Sequence, residues 1–112
     1  GTAIRDYIHV SDLANIHLEA AKYLIEKKIS NIFNCGYGKG YSVLEVINAA
    51  NQIYDNKIMF EFDKRRPGDS EKLISNVDKL HEHINWKPKF DDLKLIIKTA
   101  VEWEKKLNEK NL

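Results

Sequence analysis

The sequence R-D-Y-I-H-V-S-D-L-A at residues 5–14 decides how this chain is organised. Tyr, Ile and Val alternate there with polar residues, which predicts a short strand from Arg5 to Val10. Ser11 or Asp12 is then the expected N-cap of a helix. Apolar residues at three- and four-residue steps carry this helix to about Lys27, so the chain begins with a strand and an amphipathic helix.

The remaining sequence continues the alternation of strands and helices. Ser42 and Glu45 form a capping box, in which each side chain bonds the backbone amide of the other residue, so a helix begins there. The next expected elements are a strand at 29–35, a loop at 36–40, a turn at Asp55-Asn56, a strand at 58–62 and a loop at 65–69. A short strand at 73–77 and a short helix, capped by Asp78 and running to about Asn85, follow. The last helix is expected to be capped by Asp91 or Asp92 and to have a frayed end from Lys105 to Leu112. We therefore predict a mixed α/β chain with about four short strands and four helices.

Composition excludes several classes of protein. The chain has 112 residues, and its 18 Lys and Arg against 17 Asp and Glu leave a net charge of +1, which argues against a nucleic-acid-binding module. The apolar runs are too short to span a membrane, and we find no signal peptide, so the expected compartment is the cytoplasm. Because the first residue is Gly1 and the one methionine is Met59, we expect a piece of a longer protein.

The positions of the three arginines are the best clue to a binding site. In a chain that uses Lys for most cations, Arg is expected where a planar, bidentate donor is needed. Arg5 begins the first predicted strand, and Arg65 and Arg66 lie in a loop with Asp69. These guanidinium groups suit a ligand that carries phosphate. The alternative is that they form structural ion pairs with Asp6, Asp63 and Asp69.

Other motifs carry less information. Gly36-x-Gly38-x-Gly40 departs from the G-x-G-x-x-G spacing of dinucleotide-binding loops, so we interpret it as a tight turn. His9 is expected to be a satisfied structural histidine, and Cys35 a small core residue. We find no metal site and no nucleophile paired with a base.

Four segments together carry a resemblance to a known family. They are R-D-Y-I-H-V-S-D-L-A at 5–14, F-N-C-G-Y-G-K-G-Y-S-V at 33–43, R-R-P-G-D at 65–69 and W-K-P at 86–88. In this order and spacing they closely resemble the C-terminal part of the UDP-glucose 4-epimerase family, which belongs to the extended short-chain dehydrogenase/reductases. The resemblance covers essentially the whole chain. It implies the C-terminal portion of that α/β fold, with the Rossmann-type NAD domain largely missing.

The resemblance also implies roles for individual residues. Arg5 and Arg66 would contact the diphosphate of a UDP-sugar, and Asp69 would bond the ribose. Tyr7 would lie near the nucleotide. The remaining substrate-binding positions are Pro67 and Gly68, which would shape the loop, and Leu73, which would help set the room around the sugar.

The resemblance further implies what this chain lacks. The family interconverts UDP-glucose and UDP-galactose with a bound NAD and a Tyr-x-x-x-Lys pair. The sequence has no Gly-rich NAD loop, and its formal match, Tyr23 with Lys27, falls in a predicted helix far from the family's position. We therefore expect no catalytic residue and no bound NAD in this chain alone.

The implied division places residues 1–40, a strand–helix–strand unit, on the missing NAD domain and residues 41–112 in a substrate-binding cap. The full enzyme would be a homodimer through the missing domain. Open alternatives are part of another nucleotide-sugar epimerase or dehydratase, a non-catalytic anion- or nucleotide-binding domain, and an interaction domain.

Overall fold

A computed structural model describes residues 2–55 and 57–110. Within these residues the chain forms three short strands and four helices. In order they are β1 (Ile4–Arg5), α1 (Val10–Lys27), β2 (Tyr41–Ser42), α2 (Val43–Tyr54), β3 (Lys72–Leu73), α3 (Asp78–His83) and α4 (Leu93–Lys110). The predicted α/β class and the four helices are confirmed, whereas the described residues contain three strands in place of about four.

β1 is the central strand of a small mixed sheet with the order β2-β1-β3. β2 lies antiparallel to it, with Tyr41 opposite Arg5. β3 lies parallel to it, with Leu73 opposite Arg5. The amide of Ile4 also donates to the carbonyl oxygen of Glu71 at 2.9 Å. The sheet therefore joins three segments that are distant in sequence and places Arg5 at their centre.

The predicted strands differ most from the structure. β1 ends at Arg5 and α1 begins at Val10, so the strand predicted from Arg5 to Val10 keeps only its first residue. The strand predicted at 73–77 keeps only Leu73. Residues 29–35 and 58–62 are irregular. The alternating side chains at 58–62 are mostly exposed, because no other segment of the described chain pairs with this one, and a strand is stable only when it is paired.

The first helix is capped by His9 and not by Ser11 or Asp12 as predicted. Nδ1 of His9 accepts a hydrogen bond from the amide of Ser11 at 3.0 Å. Because that nitrogen is an acceptor, the ring proton is assigned to Nε2, which lies 3.0 Å from Oγ1 of Thr99 on α4. His9 is buried and its ring stacks on Phe90. The prediction of a satisfied structural histidine is confirmed.

The ends of α1 and α2 agree with the sequence. α1 ends at Lys27, and its C-cap Lys28 adopts the left-handed conformation. The predicted capping box of α2 is present, with Ser42 Oγ accepting from the Glu45 amide at 3.1 Å and Glu45 accepting from the Ser42 amide at 2.6 Å. Asp55 is the left-handed C-cap of α2, and the second residue of the predicted turn, Asn56, lies outside the described residues.

The last two helices correct the predicted caps. The amide of Asp78 is held by the side chain of Asn76, and α3 starts at Asp78 itself, which therefore is not the cap. Asp92 caps α4 by accepting from the amide of Lys94 at 3.0 Å, which selects it over Asp91. α4 remains helical to Lys110, so the prediction of a frayed end is wrong over 105–110, and residues 111–112 lie outside the described part.

The most buried cluster lies where α1 meets α3 and the segment after it. Ile16 of α1 packs there with Leu80, Ile84 and Trp86, and each of these side chains is at most 3% exposed. Cys35 packs against this cluster, as predicted for a small core residue. α2 and α4 form a second packed pair. The most buried core is therefore small and is built by α1, α3 and the segments next to them.

One buried carboxylate ties these parts together. Asp12 is 1% exposed and accepts a hydrogen bond from the hydroxyl of Tyr37 at 2.6 Å. It also accepts from the amides of Lys89 and Phe90, both at 3.0 Å. The Tyr37 hydroxyl in turn accepts from the amide of His9 at 3.1 Å. Asp12 thus joins the start of α1 to the 36–40 loop and to the segment before α4.

The surroundings of Asp12 also change its acidity. Burial alone raises the pKa of this carboxyl, but the hydrogen bonds from Tyr37, Lys89 and Phe90 favour the charged form and hold the pKa below its ordinary value. A carboxyl whose pKa is lower in the folded state stabilises the fold above its unfolded pKa. That contribution is lost as the pH falls through the folded pKa.

We expect Asp12→Asn to lower the free energy of unfolding at neutral pH by about 2–3 kcal/mol, because the new amide group meets buried donors. Urea unfolding at pH 7 measures this loss. The variant should also lose much of the stability decrease that the parent chain shows below about pH 4. Asp55→Asn is the control, since Asn tolerates the left-handed backbone of this exposed position. Equal stability of the two variants would contradict the role given to Asp12.

Candidate functional site

Two of the three arginines meet at one carboxylate. Nη2 of Arg5 lies 2.9 Å from Oδ1 of Asp69, and Nη2 of Arg66 lies 3.2 Å from Oδ2 of the same side chain. Each carboxylate oxygen therefore accepts from a different guanidinium group. We call Arg5, Asp69 and Arg66 the arginine cluster.

The sheet and one turn position the cluster. Arg5 is the last residue of β1, and a second guanidinium nitrogen, Nη1, donates to the carbonyl oxygen of Ile4 at 2.8 Å. Asp69 precedes β3 in a turn closed by its own amide, which donates to the carbonyl of Arg66 at 3.2 Å. Gly68 has a φ of +79° in this turn, a conformation that glycine adopts without strain. The parallel pairing of β1 with β3 then brings the turn beside Arg5.

The third arginine is held elsewhere. Nη2 of Arg65 lies 3.6 Å from a carboxylate oxygen of Glu71. Of the ion pairs that the sequence suggested for the arginines, the one with Asp69 is therefore present. The suggestion is wrong for Asp6, which binds backbone amides, and for Asp63, which accepts from the amide of Lys64. Ion pairs at this degree of exposure contribute at most about 1 kcal/mol of stability, so the fold depends little on the cluster.

The cluster borders two open cavities. One, of about 440 Å³, has both charged and apolar walls. Its charged lining residues are Arg65, Arg66, Glu61, Asp63 and Asp69, and its apolar ones include Val43 and Phe62. The other, of about 360 Å³, is lined by Arg5 and Leu73 with residues of the 74–76 segment. Volumes of this order suit small-molecule ligands. Arginine, carboxylate and apolar side chains lie side by side in the first of these cavities, which suits a ligand that has an anionic group, hydroxyl groups and a flat apolar part.

The other predicted site residues take different positions around the cluster. Leu73 is 62% exposed and lies opposite Arg5 in the sheet, so it borders the same open space. Pro67 and Gly68 form the exposed part of the turn between Arg66 and Asp69. Tyr7 is half-buried between β1 and α1, and within the described residues it makes no hydrogen bond. The structure thus brings together Arg5, Arg66 and Asp69 by direct contact.

The Gly36-x-Gly38-x-Gly40 loop is closed by a carboxylate of the chain itself. Asp6 accepts hydrogen bonds from the amides of Tyr37 at 3.0 Å and Gly38 at 2.9 Å. Gly36 is buried, and a Cβ there would lie 2.6 Å from Oδ2 of Asp6. These amides are therefore engaged and face a negative charge, so the loop does not fit the phosphates of NAD. It is a turn that holds the residue next to Arg5.

Sequence reasoning missed the roles of Asp6, Asp12 and Tyr37. All three act through contacts with residues far away in the chain, so no local spacing reveals them. The formal pair Tyr23 and Lys27 lies within α1, where Tyr23 packs on Phe33 and Lys27 is exposed.

The described residues contain no group of three or more His, Cys, Asp or Glu side chains placed to hold a metal ion. Among the helices that the structure describes, none combines the length and the apolarity needed to cross a bilayer.

Comparison with solved structures places the fold in a class. The chain superimposes on the UDP-Glc/GlcNAc 4-epimerase of Campylobacter jejuni with a TM-score of 0.83 and 46% identity, over 94% of this chain and 32% of that one. It superimposes on a UDP-glucose-4-epimerase of Stenotrophomonas maltophila, solved with NAD and formylated UDP-arabinopyranose, with a TM-score of 0.89 and 30% identity, over 97% and 32% of the two chains. The fold is that of the C-terminal portion of epimerases of the short-chain dehydrogenase/reductase type.

Comparison with curated sequences narrows this class. A UDP-glucose 4-epimerase of Azospirillum brasilense is 42% identical over 109 residues, which are 97% of this chain and 31% of the relative. The chain spans about a third of the length of the relatives it matches. No family model matches it. The chain therefore matches the C-terminal part of UDP-glucose 4-epimerases, and the predicted resemblance is confirmed.

We expect Gly36→Ala to destabilise the chain by about 2–3 kcal/mol, because its methyl group overlaps the Asp6 carboxylate, which two loop amides hold in place. Gly68→Ala is the matched control. Its methyl group meets no atom within 4 Å, so it pays only the left-handed backbone cost of about 1–2 kcal/mol. Thermal unfolding of both variants measures the difference. A smaller loss for Gly36→Ala than for Gly68→Ala would contradict the close contact between Asp6 and the 36–40 loop.

Proposed function

We propose that this chain is the UDP-sugar-binding C-terminal part of a UDP-glucose 4-epimerase, the enzyme that interconverts UDP-glucose and UDP-galactose. The observation that carries the proposal is the arginine cluster. Arg5 and Arg66 are 61 positions apart, yet their guanidinium groups share the carboxylate of Asp69. Two adjacent guanidinium groups beside an open cavity are suited to the two phosphates of a nucleoside diphosphate. The match to relatives named as epimerases supports the same conclusion.

In this proposal each site residue has a role. Arg5 and Arg66 bind the diphosphate, and Asp69 accepts a hydrogen bond from the ribose. Tyr7 lies near the nucleotide, and Pro67 and Gly68 shape the turn that presents Arg66. Leu73 borders the sugar, and its exposed side chain leaves more room than an aromatic residue would.

The chain is proposed to be catalytically incomplete alone. NAD supplies the redox chemistry of such an epimerase, but the Gly36–Gly40 loop does not fit its phosphates, since Asp6 holds the loop amides. Nor does the sequence offer an acid/base pair at the family's position. We expect the purified chain to show no turnover of UDP-glucose or UDP-galactose in the presence of NAD. A measured turnover would refute this part of the proposal.

The proposed organisation assigns the missing functions to another part of the protein. Residues 1–40 would pack on an NAD-binding domain, and residues 41–112 would form the substrate-binding cap. Exposed apolar side chains of α1, among them Leu18 and Ile25, support a covered face on this helix. We further propose that the complete protein is a cytoplasmic homodimer joined through the NAD domain. A glycine-rich strand–helix start and a Tyr-x-x-x-Lys encoded upstream of Gly1 would support this organisation, whereas an initiator Met directly before Gly1 would contradict it.

One observation favours a second candidate, an interaction domain without a ligand. Both arginines of the cluster already have a partner in Asp69, as structural ion pairs would. The two candidates differ in whether the chain binds UDP. Binding of another nucleoside diphosphate in preference to UDP would point instead to a different nucleotide-sugar epimerase or dehydratase.

We expect Arg66→Lys to weaken UDP binding about tenfold, because an ammonium group cannot replace the paired donors of a guanidinium group. Isothermal titration calorimetry at low ionic strength measures the affinity. Arg65→Lys is the matched control, since Arg65 lines the same cavity but pairs with Glu71 and not with Asp69. Equal affinities for the two variants would contradict the role of Arg66. Absence of UDP binding by the parent chain at millimolar concentration would favour the interaction domain.

A further inference from the structure

We propose that Asp69 is a positioning residue that holds Arg5 and Arg66 as a pair before the ligand arrives. This role is additional to the ribose contact and rests on the proposed function. The two oxygens of one carboxylate are bonded to one carbon, so guanidinium groups that bind one oxygen each must lie side by side. The carboxylate thereby sets the separation of the two groups that receive the diphosphate.

Arg66 depends on this contact more than Arg5 does. The Arg5 guanidinium has a second anchor in the Ile4 carbonyl, and its side chain is 29% exposed. The Arg66 side chain is 84% exposed, and among the described residues Asp69 is the one partner of its guanidinium group. Without Asp69, Arg66 would be free to sample many rotamers, and binding a ligand would then cost the entropy of ordering it.

The two positive charges of Arg5 and Arg66 also need an anion between them. Two guanidinium groups repel each other at short range, and the repulsion drives an exposed one into solvent unless an anion lies between them. Asp69 supplies that anion in the free protein. Its own position is fixed, because the Asp69 amide closes the turn onto the Arg66 carbonyl and the Ile4 amide binds the Glu71 carbonyl two residues later. The cluster is therefore built on the sheet and does not rest on side chains alone.

Binding of pyrophosphate distinguishes a positioning role of Asp69 from a contact between Asp69 and the ribose. Pyrophosphate carries the two phosphates of UDP but no ribose, so a residue that only binds ribose has no effect on its binding. Removing the negative charge of Asp69 and losing its positioning role change the pyrophosphate affinity in opposite directions. Loss of a carboxylate beside an anion site strengthens anion binding, whereas loss of positioning weakens anion binding.

The test compares Asp69→Asn and Glu71→Gln with the parent chain, using UDP and pyrophosphate as probes in calorimetric titrations. Both variants remove one negative charge from the same loop, but Glu71 pairs with Arg65 outside the cluster. We expect Asp69→Asn to weaken pyrophosphate binding by up to about fivefold, the limit set by the strength of an exposed ion pair, and UDP binding by as much or more. Glu71→Gln should bind pyrophosphate as the parent does, or slightly tighter.

Two results would overturn the proposal in distinguishable ways. If Asp69→Asn binds pyrophosphate as tightly as the parent or tighter, the positioning role is wrong, and UDP binding by the parent leaves the proposed function intact. If the parent binds neither probe, the proposed function fails and this inference fails with it. Asp69→Glu covers the case in which Asp69→Asn does not fold. It keeps the charge and should retain more than half of the pyrophosphate affinity, and a loss greater than twofold would count against the pairing.

Discussion

The structure depends on the buried carboxylate of Asp12. A charge that is 1% exposed is tolerated only when it is fully hydrogen-bonded, and Asp12 meets this condition with three donors from two distant segments. Since the donors come from the 36–40 loop and from the segment before α4, satisfying one carboxylate fixes three parts of the chain against each other. The small apolar core around Ile16 and Trp86 does not have to supply that specificity alone.

The same pattern recurs at the proposed site. Asp6 holds the amides of the 36–40 loop, and Asp69 holds two guanidinium groups. Asp6 and Arg5 are neighbours, so the hydrogen bonds between Asp6 and the loop also fix the end of β1 from which Arg5 extends. In both places a carboxylate fixes the position of hydrogen-bond donors, which are backbone amides for Asp6 and guanidinium groups for Asp69. The binding function proposed for the arginine cluster follows from that placement.

Local patterns in the sequence predicted the capping box of α2 and the cap of α4, but the caps of α1 and α3, which are also local contacts, were predicted wrongly. The capping box at Ser42 and Glu45 spans three residues, and both of its hydrogen bonds are present. Strands were predicted poorly, because alternation describes side chains whereas a strand needs a partner. Residues 58–62 alternate as a strand would, yet no described segment pairs with them. An ion pair with Asp69 was one of three pairings that the sequence left open for the arginines, and no local rule could select it, since Arg5 and Asp69 are 64 positions apart.

The most direct test of the proposed site is an NMR titration that follows the guanidinium signals of the three arginines while UDP is added. The diphosphate should shift the signals of Arg5 and Arg66 strongly and those of Arg65 weakly, and uridine, which lacks phosphate, should shift none of them comparably. Saturating shifts confined to Arg5 and Arg66 are the predicted result. Equal shifts from uridine, or binding of UDP that leaves both arginines unchanged, would contradict the account.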